Sequence, residues 1–305
     1  GAYQGTATRV MPADNIAFVP TAAMLAGDFT AFASPACNGG RQVNLGAGFM
    51  NNRIDPARFS PAALNLAKKL PTTTDPCGEA RFSLPDDRDE GQAVGRVDYQ
   101  WSANQSVFGR YMATMDRKPS AFARTNNVLT TVNPHIDNLA QSFTVGDTVV
   151  LNASAVNSLR FAFNRTAVNR DNDPYFDPHD LGVNVNSYVP HQMIVVVTGG
   201  FNIAAATATR GVAKNNSFQV NDDLTLVRGR HQFAFGANVA YFRVDQKTWA
   251  RGGGQWNFTG QASGSGLADL LLGRVATLDQ SGLSGVAFYQ WYQGVYTQDT
   301  WRATS

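Results

Sequence analysis

The stretch from 94 to 116 constrains the fold of this chain more than any other part of the sequence. Apolar and polar side chains alternate on both sides of a short polar break around Asn104, so that Val97, Tyr99 and Trp101 share one parity. Period-2 alternation across a polar break predicts a β-hairpin with two unlike faces. A soluble sandwich turns its apolar face inward, whereas a membrane barrel turns that face to lipid. The alternation alone fits both.

In a barrel, the two faces of this hairpin would meet different surroundings. The side chains expected to face lipid are Val97, Tyr99, Trp101 and Tyr111, and those expected to line the interior are Arg96, Asp98 and Arg110. This grouping requires an odd-length connection between the strands. We predict the five residues 102–106, which would place Asp98 directly across from Arg110.

The composition favours an all-β protein. Charged residues make up 16% of the chain and the formal net charge is +2, so the sequence offers no basic surface for nucleic acid. Strong helix formers are scarce beside Asn, Thr, Phe and Gly. No apolar run approaches the roughly 18 residues of a membrane helix, since the longest pieces are 193–197 and 267–272.

Short connections alternate with long ones along the chain. The predicted tight connections are 102–106, 152–157 and 228–229, and the predicted long loops are 11–92, 117–138, 167–216 and 244–254. In antiparallel hairpins this alternation puts all the long loops at one end, which is the layout of an outer-membrane barrel. We therefore predict an antiparallel up-and-down transmembrane barrel, partial, with about ten strands. In the third hairpin, Leu224 is expected opposite Phe233 and Val220 opposite Ala237.

Aromatic side chains bunch near the predicted strand ends. Those expected at the lipid interface are Tyr99, Trp101, Tyr111, Trp291, Tyr296 and Trp301. Tyr and Trp suit this position because each combines an apolar body with a polar tip. The alternative is that these are ordinary core aromatics.

The first long loop contains two further predicted features. A short helix is expected over 61–70, with Ser60 as N-cap and Pro61 in the first turn. Cys37 and Cys77 lie in Pro-, Gly- and Asn-rich segments without a CxxC motif. They predict a disulfide in an oxidising compartment, the alternative being two unpaired thiols.

No motif for catalysis or cofactor binding is present. The sequence has no G-x-S-x-G elbow, its glycine runs do not lead from a strand into a helix, and its histidines are scattered. The one metal candidate is a weak Ca²⁺ site formed by Asp171, Asp173, Asp177 and Asp180. The segment lacks the EF-hand glycine and closing glutamate, and a solvated turn-rich loop is the alternative interpretation.

Several segments together resemble a known family. They are 95–99 (GRVDY), 108–111 (FGRY), 19–29 (VPTAAMLAGDF), 266–273 (GLADLLLG) and 290–302 (QWYQGVYTQDTWR). In this order and spacing the chain resembles TonB-dependent outer-membrane receptors of the Oar-like type. The resemblance implies a wide barrel of about 22 strands that is occluded by an N-terminal plug. Residues 1–305 would be part of that one barrel domain, without the plug and the C-terminal strands.

The resemblance also implies a function and a location. The chain would be a segment of a receptor in the Gram-negative outer membrane that imports a substrate too large or scarce for porins. Its expected partners are outer-membrane lipid, the TonB complex through an N-terminal region absent from this sequence, and an unknown extracellular ligand such as a glycan or peptide. The alternative is a surface adhesin or ligand-binding β protein without transport. A secreted carbohydrate-active enzyme is less consistent with the sequence, which lacks a well-placed carboxylate pair.

Overall fold

A computed structural model describes residues 1–11 and 15–303, and half of these residues lie in β-strands. In chain order the strands are β1 (Ala2–Val10), β2 (Asn15–Phe18), β3 (Glu79–Phe82), β4 (Asp86–Ser102), β5 (Gln105–Lys118), β6 (His135–Asn152), β7 (Ala155–Asp171), β8 (Ile194–Val197), β9 (Asn202–Ile203), β10 (Gly211–Arg228), β11 (His231–Thr248), β12 (Gln255–Phe258), β13 (Thr277–Asp279) and β14 (Ser284–Trp301). The α-helices are α1 (Ala22–Leu25), α2 (Pro61–Ala67), α3 (Ala121–Thr125) and α4 (Gly266–Leu271). Short 3₁₀ turns cover Pro35–Cys37, Pro56–Arg58, Val128–Val132, His179–Leu181 and Ala206–Ala208.

Eight long strands form one antiparallel up-and-down sheet. Their spatial order is β1-β4-β5-β6-β7-β10-β11-β14, which is also their order along the chain. Within the described residues β1 and β14 each pair on one side only, so the sheet is open. The prediction of about ten strands was therefore wrong for this sheet, because some predicted strands, such as 255–259, pair in a smaller separate sheet.

The predicted register of the first hairpin was wrong by two residues. Ala103 and Asn104 form a two-residue turn, and Trp101 is an extra residue in a bulge. Asp98 consequently lies opposite Phe108 instead of Arg110. The bulge supplies the odd residue that the parity of the two strands requires, so the grouping of faces holds while the pairing shifts.

The other two hairpins also have tighter turns than predicted. In the second, the connection is only 153–154, with a bulge between Val150 and Asn152. In the third, Gly229 and Arg230 form the turn, with φ +63° at Gly229. Glycine at the first central position is typical of type II′ turns. Moving the turn by one residue shifts the register by two, so Leu224 lies opposite Phe235 and Val220 opposite Val239.

The tight turns lie side by side at one end of the sheet. Val150 N–H donates to Asn104 O at 2.7 Å, and Val227 N–H donates to Ser154 O at 2.7 Å, so each turn touches a neighbouring hairpin. Because every neighbouring pair of strands is antiparallel, the long connections leave from the opposite end.

These long connections fold together into a second region, which we call the cap. The cap comprises residues 11–85, 119–134, 172–210 and 249–283, apart from 12–14. The predicted loop 11–92 is thus shorter, because β4 already begins at Asp86. The cap holds all four helices, the β2-β3 ribbon and a four-stranded sheet in the order β13-β12-β8-β9.

The cap has a hydrophobic core to which all four connections contribute. Its largest fully buried side chains are Val19, Met24, Phe29, Leu129, Thr130, Phe176, Ile194, Val195, Ile203, Leu267, Leu270 and Leu271. Burial of a large apolar side chain contributes about 1.5–3 kcal/mol. Backbone hydrogen bonds add cross-links, such as Ser60 N–H to Leu271 O at 2.8 Å and Phe18 N–H to Gly200 O at 2.9 Å.

Helix α2 and a disulfide organise the first connection. The helix begins at Pro61 with Ser60 as N-cap, as the sequence indicates, but it ends at Ala67 and not at residue 70. Cys37 and Cys77 are joined by a disulfide with a Cα–Cα distance of 5.3 Å. Their sequence separation is 40 residues, for which the chain-entropy model gives roughly 4 kcal/mol.

Candidate functional site

The eight-stranded sheet has one apolar and one polar face. Cross-strand register places the following side chains together on the apolar face: Val97, Tyr99, Trp101, Val107, Tyr111, Phe143, Val145, Leu159, Phe161, Phe163, Phe218, Val220, Leu224, Phe233, Phe235, Val239, Tyr241, Trp291, Val295 and Trp301. Five of the six aromatic residues predicted at a lipid interface belong to this set. Their exposure is high for apolar side chains, for example 70% for Trp101 and 65% for Trp291.

Arg96, Asp98 and Arg110 share the polar face, as their parity indicates. Arg96 Nη2 lies 2.6 Å from Asp98 Oδ1, and its guanidinium carbon lies 4.1 Å from the centroid of the Phe108 ring. The Phe108 ring covers Gly146 on the next strand, where a Cβ atom would lie 2.2 Å from it. Phe108 therefore lies among charged residues because its ring covers the glycine backbone of the next strand.

Tyr296 was predicted beside Trp291 and Trp301 at the lipid interface, but the structure places it on the polar face. Its hydroxyl donates to Asp223 Oδ1 at 2.9 Å. Its ring covers Gly236, where a Cβ atom would lie 2.0 Å from the ring. The prediction grouped Tyr296 with the two tryptophans because they are close in sequence. Tyr296 has the opposite parity to both tryptophans, so its side chain lies on the other face of the strand.

A row of aromatic side chains crosses the apolar face at one level of the register. Its members, which we call the aromatic row, are Tyr111, Phe143, Phe163, Phe218, Tyr241 and Trp291. Ring centroids lie 4.9 Å apart between Phe163 and Phe218, 6.4 Å between Phe218 and Tyr241, and 4.8 Å between Tyr241 and Trp291. On β10 and β11 the apolar face runs from this row to the tight turn over about ten residues, the length of a transmembrane strand.

Beyond the aromatic row, towards the cap, the apolar face becomes charged. The first charged residues on successive strands are Asp89, Arg117, Asp137, Arg165, Lys214 and Arg243. The first three lie six residues beyond the register level of the row, whereas Arg165 and Arg243 lie two residues beyond it. An oblique boundary is what strands tilted by about 35–45° produce, because a membrane plane cuts successive strands at different residues.

Three carboxylates, those of Asp147, Asp222 and Asp299, interrupt the apolar face between the row and the turns, and each has a polar side-chain partner. Gln105 Nε2 donates to Asp147 at 2.9 and 3.1 Å. Asn157 Nδ2 donates to Asp222 Oδ1 at 2.7 Å. Asp299 Oδ2 lies 2.8 Å from His231 Nδ1. Such partners lower the cost of a polar group in an apolar environment.

The cap contains an apolar cavity of about 230 Å³. It lies between α2, β8, β12 and the segments 181–183 and 270–275. Its lining includes Ala62, Ala63, Leu66, Leu181, Val183, Met193, Val195, Trp256, Phe258, Leu270 and Val275. Val275 is 37% exposed and so lies at the rim. Pockets for whole small molecules measure about 300–1,000 Å³, so this cavity suits one apolar group of a larger ligand.

Beside the cavity, the structure gathers a small group of titratable side chains: Asp177, Asp180 and His191. Their possible ligand atoms lie within 4.8 Å of one another. Asp177 is buried and accepts hydrogen bonds from the backbone N–H groups of His179 (2.9 Å), Asp180 (3.2 Å) and His191 (2.9 Å). Burial raises the pKa of Asp177, but these donors outweigh it, and the pKa lies below its ordinary value of 3.8.

The four aspartates proposed for Ca²⁺ do not form one site. Asp171 accepts from Gln192 Nε2 at 2.9 Å, and Asp173 accepts from the Ser120 hydroxyl. Only the other two aspartates of that set lie together, and His191 joins them through a turn with φ +56°. The spacing of residues in the sequence does not predict that His191 lies near the two aspartates, because the fold of the chain brings them together.

Tyr175 connects this group to the cap core. Its hydroxyl donates to Met193 O at 2.6 Å and accepts from Met193 N–H at 3.0 Å. Burial raises the pKa of Tyr175 well above its usual range. The residue is therefore a neutral structural anchor for the wall of the cavity, in which Met193 also takes part.

The whole chain, residues 1–305, matches the family described as outer membrane beta barrel domain. The chain belongs to this family. A barrel domain of this family lies in the outer membrane, which accounts for an apolar sheet face that is exposed in the isolated chain. Among the described residues, no helix is both long enough and apolar enough to cross a membrane.

One solved structure similar to this barrel domain is the outer membrane transporter YddB from Escherichia coli. The two share 8% sequence identity with a TM-score of 0.43, over 75% of this chain. The chain spans 27% of the length of that transporter. A likeness at this level does not by itself establish a common fold. No curated protein matches the chain.

Sequence reasoning missed the cap core and its cavity. The signal was present in 193–197 and 267–272, the longest apolar runs of the chain. Both runs are far too short for a membrane helix, and their length alone does not distinguish a buried strand from a buried helix. In the structure they supply Val195 and Leu270, which are almost fully buried and line the cavity.

Proposed function

We propose that this barrel domain belongs to a TonB-dependent outer-membrane receptor of the Oar-like type that captures an extracellular ligand and imports it. The observation that carries the proposal is the cap: four long connections fold around one core at the end of the sheet opposite the tight turns. A loop whose sole role is to connect two strands needs about 4–6 residues. A packed structure of this size on the rim of a barrel provides a surface for binding.

The orientation follows the layout of outer-membrane barrels, in which short turns are periplasmic and long loops extracellular. The cap therefore faces the outside, and the turns at 103–104, 153–154 and 229–230 face the periplasm. The polar face, with Arg96, Asp98 and Arg110, lines the interior, and the aromatic row lies against lipid. Coupling to TonB would be made by an N-terminal region outside this sequence.

The cavity in the cap favours a peptide over a glycan as the ligand. A glycan needs hydrogen-bonding groups along its binding site, whereas almost all the side chains that line this cavity are apolar. A peptide can insert one apolar side chain and leave its polar backbone at the surface. We infer a binding and import role, without catalysis, for this site.

The test uses cells that carry the full-length protein and a defined mixture of oligopeptides and oligosaccharides in the medium. Val275→Arg places a charge at the rim of the cavity. Met50→Arg is the matched control, because Met50 is a 78% exposed apolar residue of the cap outside the cavity lining. Removal of TonB forms the third arm. Depletion of each compound from the medium is measured by mass spectrometry.

We expect wild-type and Met50→Arg cells to deplete peptides, and both Val275→Arg cells and cells without TonB to leave them in the medium. Surface retention without uptake, unchanged by loss of TonB, would instead support the adhesin alternative. Depletion by Val275→Arg cells at the wild-type rate would exclude the cavity from ligand capture.

A further inference from the structure

We propose that the lipid-facing side of this barrel carries a binding site for the phosphate groups of an anionic outer-leaflet lipid. The site consists of Arg165, Lys214, Arg243 and Lys247 on β7, β10 and β11, just beyond the aromatic row. We call these four residues the basic patch. The proposal uses the orientation given above but does not depend on ligand import.

Cross-strand register assembles the basic patch from three neighbouring strands. Asn216 pairs with both Arg165 and Arg243, so the two arginines flank it in one row. Strands lie about 4.8 Å apart, which puts the two arginine Cα atoms roughly 10 Å from each other. Lys214 follows in the next row of that face and Lys247 in the one after it. All four side chains project from the same face, since their positions differ by even steps along each strand.

The charge of the basic patch is not neutralised within the protein. The one carboxylate among these positions is Asp245, opposite Lys214. Within the described residues, none of the four basic side chains forms an ion pair. The patch therefore presents four cations against one carboxylate.

Towards the cap, the other basic residues on the same face are paired. Arg9 Nη2 lies 2.6 Å from Asp89 Oδ1, and Arg117 Nε lies 3.3 Å from Asp137 Oδ1. These pairs lie on β1 and β4 to β6. Free positive charge on this face is thus confined to the β7–β11 part of the sheet, which indicates a specific partner and not a general basic rim.

The level of the basic patch fits lipid headgroups. Arg165 and Arg243 lie two residues beyond Phe163 and Tyr241, where the apolar face ends. The Arg243 guanidinium carbon is 5.8 Å from the Tyr289 ring centroid, so the charged group lies over an aromatic neighbour at this level. Acyl chains on the apolar face would bring a headgroup phosphate to this height.

The chemistry of the four side chains selects phosphate. Arginine forms paired hydrogen bonds with phosphate oxygens, and lysine adds point charges nearby. A zwitterionic headgroup would carry its own cation into a field that is already positive. A lipid with two phosphates on a bulky headgroup matches two arginines roughly 10 Å apart better than a free anion, which lacks chains for the apolar face.

The experiment measures retention of bisphosphorylated lipid A by the full-length protein, purified in detergent and analysed by native mass spectrometry. The test variant is Arg165→Gln/Arg243→Gln. The matched control, Arg110→Gln/Arg160→Gln, removes two unpaired arginines from the polar face, and Arg160 lies on the same strand as Arg165. Dephosphorylated lipid A and inorganic phosphate are the comparison probes.

We expect wild type and the polar-face control to retain bisphosphorylated lipid A, and the test variant to bind it roughly tenfold or more weakly. Dephosphorylated lipid A should bind wild type no better than it binds the test variant. Equal binding by wild type and test variant, or an equal loss in the control, would overturn the proposal. So would full displacement by millimolar inorganic phosphate, which would indicate a free-anion site.

A second variant guards against misfolding. If Arg165→Gln/Arg243→Gln fails to insert, as judged by heat-dependent mobility on gels, Lys214→Gln/Lys247→Gln is assessed by the same criteria. Peptide depletion by cells is recorded in parallel. Lipid retention tests the basic patch, and peptide uptake tests the proposed function. A variant that loses lipid retention but keeps normal peptide uptake would therefore distinguish the two proposals.

Discussion

The cap and the eight-stranded sheet belong to one chain but are built for different solvents. The cap buries all twelve of the largest fully buried side chains of the described structure. In the sheet, the buried apolar side chains among the described residues are two alanines, Ala155 and Ala240. Phenylalanine is plentiful in both regions, so the supply of large apolar side chains does not explain the difference.

The two regions differ because the apolar side chains of the cap are buried in a protein core, whereas those of the sheet face lipid. The cap folds in water and makes its own core, as a soluble domain does. The sheet leaves residues such as Val97 and Val295 exposed at 72% and 87%, which in a soluble protein would form an unfavourable contiguous patch. Lipid removes that cost. Stability of the cap should therefore depend on packing, and stability of the sheet on which face a side chain occupies.

The largest expected effect is a loss of packing in the cap. Phe29 is fully buried and makes an edge-to-face contact with Phe49 at 5.1 Å. Phe29→Ala should destabilise the cap by about 3–5 kcal/mol, because it leaves a cavity in a well-packed core. We expect rapid proteolysis of the cap on intact cells, while the barrel keeps its heat-dependent mobility on gels.

The matched control is Phe161→Ala on the apolar face of the sheet, where Phe161 is 39% exposed. It should leave the protease resistance of the cap unchanged. Loss of barrel insertion in Phe29→Ala would contradict the separation of the two regions.

A charge on the apolar face should give the next largest effect. Ala237 lies on that face of β11, about midway between the aromatic row and the tight turn, and Ala234 lies on the polar face of the same strand. Ala237→Arg should destabilise the inserted barrel by at most about 2–4 kcal/mol, since an arginine near the bilayer midplane is costly and Asp222, which lies opposite, offsets only part of that cost. Ala234→Arg should change little. Denaturant titration in lipid vesicles measures both, and equal losses would contradict the assignment of the faces.

Acid should affect the cap through Asp177, with a smaller effect. Its folded-state pKa is lowered, so its stabilising contribution is complete above the ordinary value of 3.8 and is lost as pH falls through the folded-state value. Asp177→Asn should cost about 1–3 kcal/mol at neutral pH, because one of the two acceptor oxygens becomes an amide donor that faces a backbone N–H group. In this variant, thermal unfolding of the cap should depend less on pH below the ordinary value of 3.8 than it does in the wild type. The neighbouring side chains of His179, Asp180 and His191 are the same in both proteins, so an unchanged acid profile would contradict the role of Asp177.

The sequence was sufficient to predict the sheet because a membrane strand repeats every two residues. Alternation identified the hairpins and grouped Arg96, Asp98 and Arg110 on one face. It could not give the register, because the bulge at Trp101 and the Gly229–Arg230 turn each shift pairing by two residues without changing parity.

The alternation of apolar and polar residues could not predict the cap. Its core brings together residues far apart in sequence, such as Phe29, Leu129 and Leu270, from connections that have no common period. The parallel pairing of β8 with β12 joins two of these connections and has no local signal. Mutual burial makes the four connections one folded unit.

The orientation of the two regions is the central claim, and epitope accessibility tests it most directly. One epitope is inserted between Gly39 and Gly40 in the cap, where an added side chain would meet no atom within 4 Å, and another between Gly229 and Arg230 in a tight turn. We predict that antibody labels the cap epitope on intact cells and labels the turn epitope only after the outer membrane is permeabilised. Labelling of the turn epitope on intact cells, with the cap epitope hidden, would contradict the account.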